Sequence, residues 1–192
     1  GQTGQALLSA GIDACVFTGS PETGKKVRAQ CAKAGIVCSI ETGGKDAAII
    51  LDDCDLDRTV AGITAWALGN AGQACGAIEI AYVTPTIADE FVRRLTAVWS
   101  RLRAAPGSVG ETDVAPLANS RQFELVKAHV ADACARGAIV VCGGEPTGVG
   151  YFFQPTVLAD VPQEADIMSN EPFGPVAVCR PFESFDEAIE QA

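Results

Sequence analysis

Cys75 sits in Asn70-Ala71-Gly72-Gln73-Ala74-Cys75-Gly76, a turn of small and polar residues that closes a helical run. Thiolate is the nucleophile of cysteine chemistry, and it needs a polar, accessible setting. No aromatic or branched side chain occurs from Gly69 to Ala77. A substrate could approach closely there, and backbone N–H groups could face an oxyanion. The same thiol also suits an ordinary helix-terminal turn in which cysteine is kept for its size. Upstream, Glu41 closes a strand-like run in Ile40-Glu41-Thr42-Gly43-Gly44-Lys45. A carboxylate there can be partly desolvated, which moves its pKa towards that of a working base. It can equally pair with Lys45 or cap a helix. Further upstream, Phe17-Thr18-Gly19-Ser20 and Gly24 form a glycine-containing strand-to-helix turn of the kind that holds phosphate. The pattern is not G-x-G-x-x-G, so on its own it is a weak dinucleotide signal. A nucleophile, a base and a phosphate turn in one chain point together to covalent redox chemistry.

The elements that must position these residues can be read from apolar periodicity and caps. Thr3 to Ala10 fits a short helix, and Ala14 to Thr18 a buried strand. Ser20, Pro21 and Glu22 open a helix that runs to Ala34, where Gly35 can take the left-handed stop. Ile36 to Ile40 is a second strand, so the Gly19 to Gly24 turn lies in a strand–turn–helix–strand unit. Ala47 to Leu51 is a strand. Asp55 then caps a helix from Leu56 to Asn70, and Asp52 and Asp53 beside it read as solvated acids rather than metal ligands. Ala77 to Val83 is a strand, and Thr86 to Ala105 an amphipathic helix on Ile87, Phe91, Leu95 and Val98. Trp66 and Trp99 are expected in the core or an interface. Asn119 to Arg136 is a helix capped by Asn119 or Ser120, and Ile139 to Cys142 a strand. Phe152 to Leu158 reads as an edge strand because Pro155 interrupts it. Val176 to Arg180 is a strand, and Ser184 to Glu187 a capping box. The alternation predicts an α/β fold with a largely parallel sheet. A hinge near Gly43-Gly44 would divide a first part, residues 1–42, from a second, residues 43–192.

Among 192 residues, 14 are basic and 24 acidic, for a net charge of −10. That balance argues against nucleic acid as a partner, but not against a single dinucleotide held by backbone N–H groups. Eight cysteines include no C-x-x-C pair, and His129 is the one histidine. A zinc site is therefore not expected. Cys15, Cys142 and Cys179 lie in apolar runs, where thiols act as small hydrophobes. This favours a reducing compartment, and hence a cytoplasmic location, over a disulfide framework. No apolar run approaches the ~20 residues of a membrane-spanning helix, so a membrane partner is not expected. Both ends read as cut through helices, and the chain is expected to be a piece of a longer polypeptide.

Phe17–Gly24 (FTGSPETG), Ile40–Asp46 (IETGGKD), Asn70–Ala77 (NAGQACGA) and Glu171–Pro175 (EPFGP) resemble successive signatures of the aldehyde dehydrogenase superfamily. Gly150–Leu158 (GYFFQPTVL) is also similar to that family. The resemblance implies part of a Rossmann-like NAD(P) domain followed by an incomplete α/β catalytic domain. It implies Cys75 as the nucleophile that forms a thiohemiacetal and then a thioester, and Glu41 as the base that activates the hydrolytic water. Thr18, Gly19, Ser20, Thr23 and Gly24 would flank the pyrophosphate. Thr42 and Gly43 would line the nicotinamide pocket, and Glu171, with Phe173 beside it, would hold the nicotinamide ribose. NAD or NADP would be the cofactor and a small aldehyde the substrate, in a homodimer or homotetramer at full length.

Three positions depart from the pattern. Ile80 stands where the family usually has arginine, Asn170 where an acid is common, and Thr42 where leucine is common. The family's oxyanion asparagine and ribose-binding lysine would lie before Gly1, and an oligomerisation strand after Ala192. The piece alone is therefore expected to lack turnover. An acylating relative that uses coenzyme A or phosphate is the second reading, and a non-catalytic truncated chain the third. Glu41 favours water as the acceptor.

Overall fold

The computed structural model describes residues 1–108 and 110–192. They form two compact units, Gly1–Gly44 and Lys45–Ala192. Among the described residues no helix is long and apolar enough to cross a membrane.

The first unit contains helix α1 (Gln2–Ser9), strand β1 (Ala14–Gly19), helix α2 (Pro21–Ala34) and strand β2 (Val37–Thr42). Local chemistry sets the bounds of α2. The Ser20 side chain accepts from the Thr23 N–H, Pro21 occupies the first turn, and Gly35 stops the helix at φ 70°. β1 and β2 pair in parallel, with Cys15 opposite Cys38, Thr18 opposite Glu41 and Gly19 opposite Thr42. Helix α2 lies against one face of this ribbon. A Cβ at Gly24 would come within 2.8 Å of Thr42 Cγ2 and 3.0 Å of Ile40 Cγ2, so glycine lets the helix seat closely. On that side Cys31 is fully buried and contacts Cys15 and Cys38; burial pushes its thiol up to about 11. The other face is open: Val16 is 81% exposed and Val37 75%. β1 is therefore half-covered rather than buried as expected, because α2 covers one face only.

In the second unit a five-stranded sheet has the order β3-β4-β7-β6-β5. The strands are β3 (Ala47–Ile50), β4 (Ile80–Val83), β5 (Ile139–Cys142), β6 (Thr156–Ala159) and β7 (Val176–Pro181). All pairs are parallel except β5 with β6. Helices α3 (Leu56–Leu68) and α4 (Pro85–Trp99) bury Ile63, Phe91, Leu95 and Trp99 with Ala81, Val83 and Val157. A second core takes Val126 and Val130 of α5 (Ser120–Ala135), Ile167 of α6 (Asp166–Ser169) and Ala188 of α7 (Phe185–Gln191). These pack with Ile80, Tyr82, Leu158 and Val178 from the same strands. A sheet covered on both faces needs continuous apolar strands, and these strands have them.

Three expected element positions change. Phe152 to Leu158 is not an edge strand: β6 begins at Thr156 and lies between β7 and β5. Pro155 falls just outside the strand, so its missing N–H removes no ladder bond. α4 ends at Trp99, earlier than Ala105, and β4 begins only at Ile80. Trp99 is buried and donates Nε1–H to Thr64 Oγ1 at 2.9 Å, whereas Trp66 is 66% exposed.

Candidate active site

Helix α3, capped by the Asp55 side chain, delivers the chain to Leu68. Three left-handed residues follow: Asn70 at φ 52°, Ala71 at φ 57° and Gly72 at φ 72°. A left-handed residue other than glycine costs roughly 1–2 kcal/mol, so surrounding contacts must hold this turn. Asn70 Nδ2 donates to the Gln73 carbonyl at 2.9 Å, and the Gln73 N–H donates to the Asn70 carbonyl at 3.1 Å. Gln73 then reaches across the sequence. Its Nε2 donates to the Pro116 carbonyl at 3.4 Å, and its Oε1 accepts from the Ala118 N–H at 2.8 Å. Gly72 packs backbone to backbone on Gly174; a Cβ at Gly72 would lie 2.1 Å from the Gly174 carbonyl oxygen. Cys75 emerges in the next turn, closed by the Ala77 N–H on the Ala74 carbonyl at 3.1 Å, and is exposed.

The Glu171–Pro175 segment is held from α5. Gln122 Nε2 donates to the carbonyls of Pro172 at 2.7 Å and Phe173 at 3.0 Å. Phe173 is left-handed at φ 47°. Glu171 and Phe173 are half-buried. Nearby, Lys45 Nζ bonds Glu79 Oε2 at 2.7 Å. Burial lowers the Lys45 pKa against the pull of Glu79, and burial raises that of Glu79 against the pull of Lys45. Thus the second unit brings the Cys75 turn directly against the segment that carries Glu171 and Phe173.

The remaining residues belong to Gly1–Gly44. Ser20 Oγ accepts from the Thr23 N–H at 3.3 Å and donates to Thr23 Oγ1 at 3.0 Å, which orders the first turn of α2. Gly24 donates its N–H to the Ser20 carbonyl at 2.9 Å. Glu41 lies beside Thr18 across the ribbon, and Thr42 beside Gly19. Glu41 is exposed, which differs from the partial desolvation expected of it. The strand alternation explains this: Ile40 and Thr42 point to the side covered by α2, and Glu41 points to the open side. Gly43 follows, half-buried. Lys45, offered above as a partner for Glu41, is bonded to Glu79.

Gln73, Gln122, Lys45 and Glu79 were not singled out from the sequence as site residues. Glu79 did carry a signal, being the lone charge in the apolar run from Ala77 to Val83. The glutamines carried none, since their partners lie tens of residues away.

The family model for the aldehyde dehydrogenase family matches residues 1–192. The chain belongs to the aldehyde dehydrogenase family. It is 40% identical over 177 residues to the NADP(+) succinate-semialdehyde dehydrogenase of Escherichia coli K12, covering 92% of this chain and 37% of that protein. It is 37% identical to a glutarate-semialdehyde dehydrogenase of Pseudomonas aeruginosa, covering 98% of this chain and 40% of that one. Among solved structures, an NADP-dependent enzyme of E. coli superposes with a TM-score of 0.95 at 38% identity, over 100% of this chain and 40% of that one. A Mycobacterium tuberculosis aldehyde dehydrogenase complexed with NAD+ gives 0.93 at 36% identity, over 99% of this chain and 40% of its own. The chain spans about two-fifths of the length of these relatives.

Proposed function

We propose that the protein containing this chain oxidises an aldehyde to a carboxylic acid with NAD or NADP. The observation that carries the reading is the exposed Cys75, set by a left-handed turn whose backbone packs on Gly174 of the Glu171–Pro175 segment. A nucleophile and a carboxylate-bearing loop are thereby held in register by backbone contact, with the Gln73 and Gln122 side chains bracing the turn and the loop.

The residues present suit a dinucleotide. The N-terminus of α2, ordered by Ser20 and Thr23, would turn the positive end of the helix dipole to a pyrophosphate. Thr18, Gly19 and Gly24 shape that turn, Thr42 and Gly43 lie on the strand side of it, and Glu171 can accept from ribose hydroxyls beside Phe173. When bound, the nicotinamide supplies a hydride acceptor, which raises the Cys75 adduct from the aldehyde to the acid oxidation level. Cys75 thiolate forms the C–S bond to the carbonyl carbon, and the displaced electron pair goes to oxygen. Glu41 then takes a proton from the water that attacks the resulting thioester, and the C–S bond breaks to return the thiol. The sum is aldehyde, water and oxidised cofactor giving carboxylate, reduced cofactor and two protons. Exposure of Glu41 is compatible with a base that must meet water. We place the activity in the cytoplasm and in a homodimer or homotetramer.

Succinate and glutarate semialdehydes and lactaldehyde, named for relatives, make the first assay panel, with NAD and NADP in parallel. Cys75→Ala in the gene product should abolish cofactor reduction, and Cys75 should be the first of the eight cysteines to be alkylated. Glu41→Gln should slow steady-state turnover by roughly 10²–10⁴-fold, the scale of general-base catalysis, while leaving a burst of reduced cofactor. Unchanged turnover in Glu41→Gln, with product released on coenzyme A or phosphate, would favour the acylating reading.

A further inference from the structure

The covered face of the ribbon in Gly1–Gly44 carries a cluster of thiols. Every second residue of the ribbon points to that face: Cys15, Phe17 and Gly19 in β1, and Cys38, Ile40 and Thr42 in β2. The register sets Cys15 directly opposite Cys38. Helix α2 meets the face along Gly24, Val27 and Cys31, which are spaced three and four residues apart on one side of the helix. Gly24 sits over the far end of the strands, close to Phe17, Ile40 and Thr42. Two turns on, roughly 10 Å along the helix, comes Cys31. Cys15 and Cys38 lie four residues before Gly19 and Thr42, roughly 13 Å back along the strands, so Cys31 comes down over them. It is fully buried there, in hydrogen-bonding contact with both strand thiols, which are half-buried. All three are free cysteines.

A disulfide needs Cβ atoms about 3.5–4.5 Å apart. Residues opposite each other in neighbouring parallel strands keep theirs near the interstrand spacing of about 4.8 Å, just outside that range. Cys31 approaches from the helix instead, so it is the thiol placed to bridge. We propose that Cys15, Cys31 and Cys38 form an oxidation-sensitive staple: a low-molecular-weight disulfide of the glutathione class converts them to one disulfide, from Cys31 to Cys15 or Cys38, that ties α2 to the ribbon. The step is thiol–disulfide exchange. A strand thiolate attacks one sulfur of the small disulfide, whose S–S bond breaks, and the first small thiol leaves with the proton. Cys31 then gives up its proton and attacks the strand sulfur of the mixed disulfide, and the second small thiol leaves. Two protein thiols lose two electrons, and the small disulfide gains them. Burial pushes the Cys31 thiol up to about 11. That makes it a slow first attacker, whereas in the second step its target is already in contact. In a reducing compartment the three thiols stay reduced, and the staple closes as small disulfide accumulates. The inference is independent of the role proposed for Cys75.

The test uses the native gene product that contains this chain, treated with glutathione disulfide, alkylated and digested. Tryptic cleavage after Lys25, Arg28 and Lys33 puts Cys15, Cys31 and Cys38 on separate peptides. A linked peptide pair should appear, Cys31 with Cys15 or Cys31 with Cys38. The remaining strand cysteine should be alkylated, and dithiothreitol should remove the link. The exposed Cys75 and Cys134 are the controls for simple addition of one glutathione. Amide exchange in α2 should slow about threefold or more in the linked form, because a closed loop opposes opening of the helix from the ribbon. Cys31→Ala, or Cys31→Ser where the alanine variant does not fold, should give mixed disulfides at Cys15 and Cys38 without a link. Five results overturn the proposal: three thiols that stay fully alkylated while Cys75 and Cys134 take up glutathione, a Cys15–Cys38 link in the parent, a link from Cys31 to a cysteine outside the cluster, a link that persists in the Cys31 variants, or a linked protein whose α2 exchange is unchanged.

Discussion

The two units contain the same motif, parallel strands with helices, yet their sheets are finished differently. In Lys45–Ala192 both faces are covered, and Val157, Leu158, Ala177 and Val178 are fully buried. In Gly1–Gly44 one helix covers one face, and the valines of β1 and β2 on the other face stand open. Parallel strands are ordinarily buried on both sides. The first unit therefore owes its form to α2, its caps and one layer of contacts, while the second has two cores. Residues of the first unit proposed to act on cofactor and water thus sit on the thinner scaffold, and Cys75 on the thicker one.

The sharpest way to break this contrast is with a pair of glycines of nearly equal φ. Gly72 at 72° belongs to the thicker scaffold and Gly35 at 70° to the thinner one. At Gly72 a Cβ would collide with the Gly174 carbonyl, whereas at Gly35 nothing lies within 4 Å. Gly72→Ala should therefore cost about 3–5 kcal/mol, from dihedral strain plus overpacking. Gly35→Ala should cost about 1–2 kcal/mol, from the dihedral alone. Chemical denaturation of both variants measures the gap. Equal losses would mean that the Gly72–Gly174 backbone contact does not constrain the Cys75 turn.

A second comparison probes the sheets themselves. Leu158→Ala, in the middle of β6, should destabilise by about 2–5 kcal/mol through lost burial and the cavity left behind. Val16→Ala, on the open face, should stay within about 0.5 kcal/mol. A loss at Val16 above about 1 kcal/mol in the gene product would show that another element covers this face there.

Much of this was legible in the sequence because it is local. Ser20, Asp55, Asn119 and Ser184 cap the helices they were read to cap, and Gly35 stops α2. Those interactions span three or four residues, so type and spacing suffice. The shape of the Cys75 turn was only half legible. Small residues there were visible, but not the three left-handed dihedrals, which depend on Gly174 and on Gln73 reaching the segment before α5. The placement of β6 was misread from Pro155, because a proline next to a strand and one inside it look alike until the register is known. Openness at Val16 was illegible for a similar reason: an apolar run does not say how many of its faces find a partner. The exposure of Glu41 follows from that same open face.

The smallest effect expected is one of pH, and it belongs to the thicker scaffold. His129 is buried on α5, and its Nδ1 has no hydrogen-bond partner. Burial lowers its pKa, helped by the Lys45 cation and opposed by Asp166 and Asp132. With the folded pKa below the unfolded one, the unfolded chain binds the extra proton first as pH falls. Stability of the second unit should therefore decline from about pH 6.5 downward, with a slope smaller than the ~1.4 kcal/mol per pH unit of one full proton. Carboxylates with lowered pKa, such as Asp132, Glu111 and Glu187, act in a separate window. Their stabilising contribution is lost only as pH falls below the usual carboxylate range, near 4. The raised Glu79 works in the opposite direction to His129, losing stability as pH rises above that range. Denaturation midpoints at pH 7, 6 and 5 for the parent and for His129→Gln isolate the term. The parent should lose stability over this interval and His129→Gln should lose less. Parallel curves would mean that His129 takes up its proton as readily folded as unfolded.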